Sequence, residues 1–422
     1  MTEPSTALAQ YNRSMRRKRT IYYAIVAVVV IAVGTFAGVV YSSGEVAHTS
    51  LHTIDKAPGT VAIQAPSPNQ QLAWKTSDRL AIGKPQWRGT IITFSNHTVG
   101  GRDATTGKRT WSYTRTNRTV CTAAQVNGTT IAIYQNRGNC DEVSAFYSDT
   151  GKRRWTRTLD KDGMPVNGVP TYQMTDFTFM VTSPTVIYAI DPVSGLDRWT
   201  YDRAGCRIGE TVLGTAGALI SQNCTKPQCK DVKFCGRGPQ VFLRDGVSGN
   251  GDDNKPNADQ IKWNRIGDGE LPVSADQLIA TADRTTHVLS ELAQDTGVSL
   301  RTIALKPVPT TLQGAVAEAT STDEVLWVDG RTYAIRPGTA RPVWVAKTPS
   351  APTIVSTTNQ DPPVLATARI SVATSTGIAV LDGNGGRLLQ RFAVPPPTGG
   401  GVVYPLGTGF LVADASGVVA YR

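Results

Sequence analysis

A tight turn that ends on glycine, followed by a strand that carries tryptophan, recurs along this chain and constrains it more than any other feature. The clearest copy is TVIYAIDPVSGLDRW, which ends at Trp199. It reads as a strand over Val186–Ile190, a turn from Asp191 to Gly195, and a second strand opening on Trp199. DATTGKRTW ends at Trp111, YSDTGKRRW at Trp155 and RPGTARPVW at Trp344. An interrupted copy starts at DGVSG and ends with IKW at Trp263. A repeated unit of this size cannot bury its own apolar faces. It must stack on its copies, so the period decides the architecture.

Equivalent positions fall at Trp74, Trp111, Trp155, Trp199, Trp263, Arg301, Trp344 and Gln390, at intervals of 37, 44, 44, 64, 38, 43 and 46 residues. Two units, QDTGVSLRTI and DGNGGRLLQRF, keep the turn but have lost the tryptophan. Each unit reads as a crossing, two apolar strands, the turn and the Trp strand. Glycine at the end of the turn supplies the positive φ that a short hairpin loop needs. Asp at its start can accept backbone N–H bonds. Both residues are read as structural. An interval near 40–45 with four short strands per unit is the signature of a β-propeller. The last two strands, FLVAD and GVVAY, lack a Trp strand, and QLAWKTSD around Trp74 supplies one from the other end. Joining them closes the ring, so that neither incomplete unit keeps an unpaired edge. The fold expected is all-β, an eight-bladed propeller over residues 71–422, with seven blades as the fallback.

These stretches resemble the PQQ-like propeller repeat. The resemblance is carried by Asp103, Gly107 and Trp111; by Gly151 and Trp155; by Asp191, Gly195 and Trp199; by Asp245 and Gly249 with a displaced Trp263; and by Asp382 and Gly386. It covers roughly residues 70–422. It implies that each Trp docks on a neighbouring blade. The same repeat builds quinoprotein dehydrogenases, BamB-like envelope proteins and single-anchor actinobacterial envelope proteins. The dehydrogenases resemble one another in an adjacent Cys–Cys pair, a Ca²⁺ site and a catalytic Asp. This chain has no two adjacent cysteines. No PQQ, no other cofactor and no enzymatic activity is therefore expected.

Ahead of the repeats, no residue from Ile21 to Tyr41 is charged. As a helix this run spans about 30 Å, the thickness of a bilayer core. Arg13, Arg16, Arg17, Lys18 and Arg19 precede it, which orients the N-terminus to the cytoplasm. The run is too long for a cleaved signal peptide. The expected layout is a cytoplasmic tail at 1–20, a transmembrane signal anchor at 21–43, a flexible Ser/Pro/Gly/Thr tether at 44–70, and an extracytoplasmic propeller. The net charge of +10 falls to +6, 38 bases against 32 acids, once those five bases and Glu3 are set aside. With no further basic block, nucleic acid is not an expected partner.

All six cysteines, Cys121, Cys140, Cys206, Cys224, Cys229 and Cys235, follow the anchor. An even number outside the cytoplasm suggests disulfides. Cys206 and Cys224 bracket a hairpin centred on residues 214–217, and Cys121 and Cys140 one that turns at Asn127–Gly128. Cys229 and Cys235 would close a small loop. Zinc on Cys224, Cys229 and Cys235 is the competing reading, without a CxxC spacing or a nearby histidine in support.

Chemistry has few other carriers. His48 and His52 sit in the tether, and His97 and His287 in different units. The Gly-rich stretches DGVSGNGDDN and LDGNGGRL join strand to strand, unlike a phosphate loop. Two insertions depart from the repeat. Residues 225–238 carry Lys226, Lys230, Lys233 and Arg237 between two strands of one unit. Residues 250–260 lengthen its turn. In an up-and-down blade the two project from opposite faces. The basic loop is the candidate contact for a partner, because function tends to sit on loops held by rigid scaffolds. The expected function is a non-enzymatic protein-interaction scaffold in envelope assembly or transport. The alternative is a ligand-binding module for an envelope sugar or glycolipid.

Overall fold

The computed structural model describes residues 45–161, 164–202, 205–225, 238–246, 261–266, 270–309, 316–355, 365, 368–398 and 401–422. The chain falls into two compact units, Met1–Ser50 with Thr114–Asn117, and Leu51–Tyr113 with Arg118–Arg422. In the first, Glu45–His48 forms one helical turn and the Thr116 N–H donates to the His48 carbonyl at 2.9 Å. The expected anchor lies outside the described residues. Among those, no helix is long and apolar enough to cross a membrane.

Alternation of short apolar strands with turns builds the second unit as an eight-bladed β-propeller, each blade containing four antiparallel strands. Blade 3 shows the pattern: Thr171–Met174 inside, then Phe179–Thr182, Val186–Ile190 and the Trp strand Asp197–Asp202 outside. The crossing of the sequence pattern thus holds the innermost strand, as in Val120–Val126 and Cys206–Gly214. Interrupting small and polar residues hid it there. The second and third strands are buried on both faces, as in TIITF and VIYAI, because a blade lies between two others.

Eight apolar clusters close the ring, each straddling two neighbouring blades. One joins the ends of the chain: Trp74 packs with Leu411, Val418 and Ala420 on one side and Ile91 and Ala104 on the other. The strand Leu72–Thr76 pairs antiparallel with Gly417–Tyr421, as the two incomplete ends require.

Each turn of the repeat also forms a dock. Asp103 Oδ1 accepts the N–H groups of Thr105 and Thr106, and Asp191 Oδ1 those of Val193 and Ser194. Gly107, Gly151, Gly195, Gly297 and Gly386 all have φ between +65° and +76°. On each lies the indole of the preceding unit: Trp74, Trp111, Trp155, Trp263 and Trp344 respectively. Each of these indoles donates its N–H to a backbone carbonyl in the same turn, at 2.8–3.2 Å. Arg301, standing where a Trp is lost, reaches the equivalent turn by donating to the Gly338 carbonyl. Glu291 pairs with Arg301 at 3.0 Å and accepts the Gly338 N–H, so an ionic clasp replaces the indole.

Candidate interaction surfaces

The turns of an up-and-down blade fall on two faces. One carries the links between second and third strands, and both defined disulfides lie there. Cys206 and Cys224 face each other at one end of a hairpin whose other end pairs Gly214 with Gly217, as the spacing predicts. Cys224 also lies opposite Gly238 on the third strand. The Thr225 N–H and hydroxyl both donate to the Gly205 carbonyl, at 2.9 and 3.1 Å. The blade-4 insertion thus leaves and re-enters a base fixed by two ladders and a covalent bridge. Lys226, Lys230, Lys233, Arg237, Cys229 and Cys235 themselves lie outside the described residues.

Cys121–Cys140 is the second bridge. It does not close the expected single hairpin. Cys121 is on the inner strand Val120–Val126 and Cys140 on the third strand Asn139–Tyr147, so the bond reaches across the end of Thr129–Asn136. A further reversal at Arg137–Gly138, both with positive φ, places Cys140 one strand beyond the hairpin.

The opposite face carries a strap that corrects the expectation of a flexible tether. Within the propeller unit, the Ile54 N–H donates to the Thr150 carbonyl, that of Gln64 to Gly407 and that of Ser67 to Thr408. Gln86 donates to the Val61 carbonyl, and Gln71 and Arg422 exchange a pair of backbone hydrogen bonds. Val61 packs on the cluster around Trp74. The strap thereby crosses blades 2, 1 and 8 and covers the ring closure. Backbone groups make most of these bonds, so a Ser- and Pro-rich composition gave no sign of them.

Perturbed ionisable groups are accounted for by packing between or within blades. Burial raises Asp78, but hydrogen bonds and charge from Arg102 at 2.6 Å and Arg109 at 2.5 Å outweigh it and hold the carboxyl low. Burial pushes Glu324 up to about 8, and Asp276 adds to the shift. Burial lowers Arg244 to about 10. Its guanidinium lies 4.6 Å above the ring of Trp199, whose expected partner Gly249 is outside the described residues. His97 and His287 each bond a backbone carbonyl, of Arg118 and Pro309. Among the described residues no three His, Cys, Asp or Glu side chains converge as a metal site.

Comparison with known proteins agrees with the PQQ-like repeat. Residues 26–201, less than half of the chain, match the family model described as outer membrane protein assembly factor BamB. No curated protein matches the chain significantly. Among solved structures, the computationally designed Ika8 protein has a TM-score of 0.51 at 12% identity, covering 83% of this chain and 98% of its own. BamB from Moraxella catarrhalis has a TM-score of 0.49 at 15% identity, covering 84% and 97%. The quinohemoprotein alcohol dehydrogenase ADHIIG from Pseudomonas putida HK5 has 0.46 at 12%, covering 83% and 76%. At these identities the likeness is one of fold.

Proposed function

We propose that this chain, with its BamB-type repeat match over residues 26–201 and its closed eight-bladed ring, is an extracytoplasmic scaffold that binds protein partners in the cell envelope. Residues 21–43 tie it to the cytoplasmic membrane with residues 1–20 inside. It acts by rigid display and not by catalysis. The observation that carries this reading is the base of the blade-4 insertion. The basic excursion starts and ends on a disulfide-braced hairpin, so both of its ends are fixed before a partner arrives. Cations offered in this way suit an acidic protein surface.

The test is cross-linking in intact membranes with the full chain, and with a variant in which residues 226–237 are replaced by a short Gly-Asn turn. The scaffold reading expects a defined protein adduct that the shortened variant loses while keeping its thermal midpoint. Absence of any protein adduct, together with saturable binding of an envelope glycan by the full chain, would assign the protein to carbohydrate recognition instead.

A further inference from the structure

Register singles out one sector of the rim. The residue just before each Trp position, on the outer strand, is Ala73 in blade 8, Thr110 in blade 1, Arg154 in blade 2, Arg198 in blade 3 and Lys262 in blade 4. In the three remaining consecutive blades it is Leu300 and Leu389, on their strands, and Val343, immediately before the strand Trp344–Lys347. These are 53, 51 and 46% exposed. Val298, Val345 and Leu388 beside them are exposed as well. Scattered exposed leucines are ordinary. The same register position turning apolar on three successive blades is not.

Loss of tryptophan explains part of this. The outer strands Ser299–Ile303 and Leu388–Phe392 are the two without it, and each has residues exposed on both faces. With no indole holding the strand onto the next blade, its side chains face solvent. Among the described residues all three strands also end their sheets, so each presents a row of backbone donors and acceptors at its outer edge. Their charge has one sign. Stretches 298–306, 341–347 and 387–392 contain Arg301, Lys306, Arg341, Lys347, Arg387 and Arg391 and no acid. Glu291 and Asp382 hold Arg301 and Arg387. Lys306, Arg341, Lys347 and Arg391 are exposed.

We infer that the outer edges of blades 5, 6 and 7 are docking strands for a partner protein that presents an extended acidic segment. Its backbone adds to an open edge. Alternate apolar side chains cover Leu300, Val343 or Leu389, and its carboxylates meet the flanking cations. This rests on the scaffold reading and names a second surface for it, remote in sequence from the blade-4 insertion.

A ten-residue peptide alternating Glu and Val is the probe, titrated against the full chain in lipid nanodiscs. Controls are the same peptide with Lys for Glu, and one with Pro at alternate positions. Saturable binding of the acidic peptide alone is expected. The triple variant Leu300→Ser, Val343→Ser, Leu389→Ser should weaken it by about tenfold or more, since a few buried apolar anchors dominate such contacts. Its thermal midpoint should stay unchanged, because these side chains are exposed. Equal binding of the basic peptide or the proline peptide, or unaltered binding by the triple variant, overturns the proposal. So does a chain–chain dimer, or adhesion to anionic vesicles, that the triple variant abolishes while peptide binding persists. A partner still cross-linked through residues 226–237 in any of these cases leaves the scaffold reading standing alone.

Discussion

Trp111 and Gly151 share one site across the boundary between blades 1 and 2. The indole donates Nε1–H to the Ser148 carbonyl at 2.9 Å and lies 2.6 Å from where a Cβ on Gly151 would stand. Gly151 also has a φ of +73°. Two independent demands, backbone conformation and space, therefore fall on one residue.

Gly151→Ala should separate them when set beside Gly138→Ala. Gly138 has a φ of +93° with nothing within 4 Å of a built Cβ. It should lose only the conformational part, about 1–2 kcal/mol. Gly151→Ala should lose that and more, since the Trp111 ring must move. Urea unfolding of both variants measures the difference. Equal losses would remove the packing argument.

Trp74→Ala should strike the closure. Trp74 is buried between the first and last blades, and its indole bonds the Ala104 carbonyl at 3.1 Å. A loss of about 3–5 kcal/mol is expected for so large a buried side chain. Hydrogen exchange should quicken first in Leu72–Thr76 and Gly417–Tyr421. Uniform acceleration around the ring would contradict a local latch.

Glu324 predicts a pH dependence of stability. Burial, with repulsion from Asp276, raises its folded pKa to about 8 from an ordinary 4.5. Between those values the folded state holds a proton that the unfolded state has released. Stability from this group is therefore fully present below about pH 4.5 and falls as pH rises towards 8. The loss is on the order of 1.4 kcal/mol per pH unit within the window. Glu324→Gln should flatten that slope in urea unfolding between pH 5 and pH 8. An unchanged slope would place the titration elsewhere.

Removing the blade-4 bridge should cost stability through chain entropy. Cys206 and Cys224 close a loop of 18 residues, worth about 3 kcal/mol in the unfolded ensemble. Cys206→Ser with Cys224→Ser should lower unfolding stability by about that amount. Cross-linking through residues 226–237 should also weaken, because the base of the excursion loosens. Retained cross-linking yield in a destabilised variant would detach display from the bridge.

Much of the ring was legible before any coordinate. The incomplete units at Trp74 and at Gly409–Asp414 had to meet, because neither could cover its own sheet edge. Gly214 and Gly217 marked the centre of the Cys206–Cys224 hairpin. The candidate surfaces were less legible. Leu300, Val343 and Leu389 look unremarkable until the register aligns them on consecutive blades. The strap from Ile54 to Gln71 escaped notice because its N–H donors carry no side-chain pattern.

Sequence alone determined the repeat and the glycine of its turns, and favoured eight units with seven as the fallback, since φ preference and apolar alternation act within a few residues. Tertiary structure decided which indole each glycine receives. Gly107 lies under Trp74 of the preceding unit and not under its own Trp111, because a blade can be packed only by its neighbours. The same stacking let an Arg301–Glu291 clasp stand in for one tryptophan, and laid the supposed tether across the joint it secures.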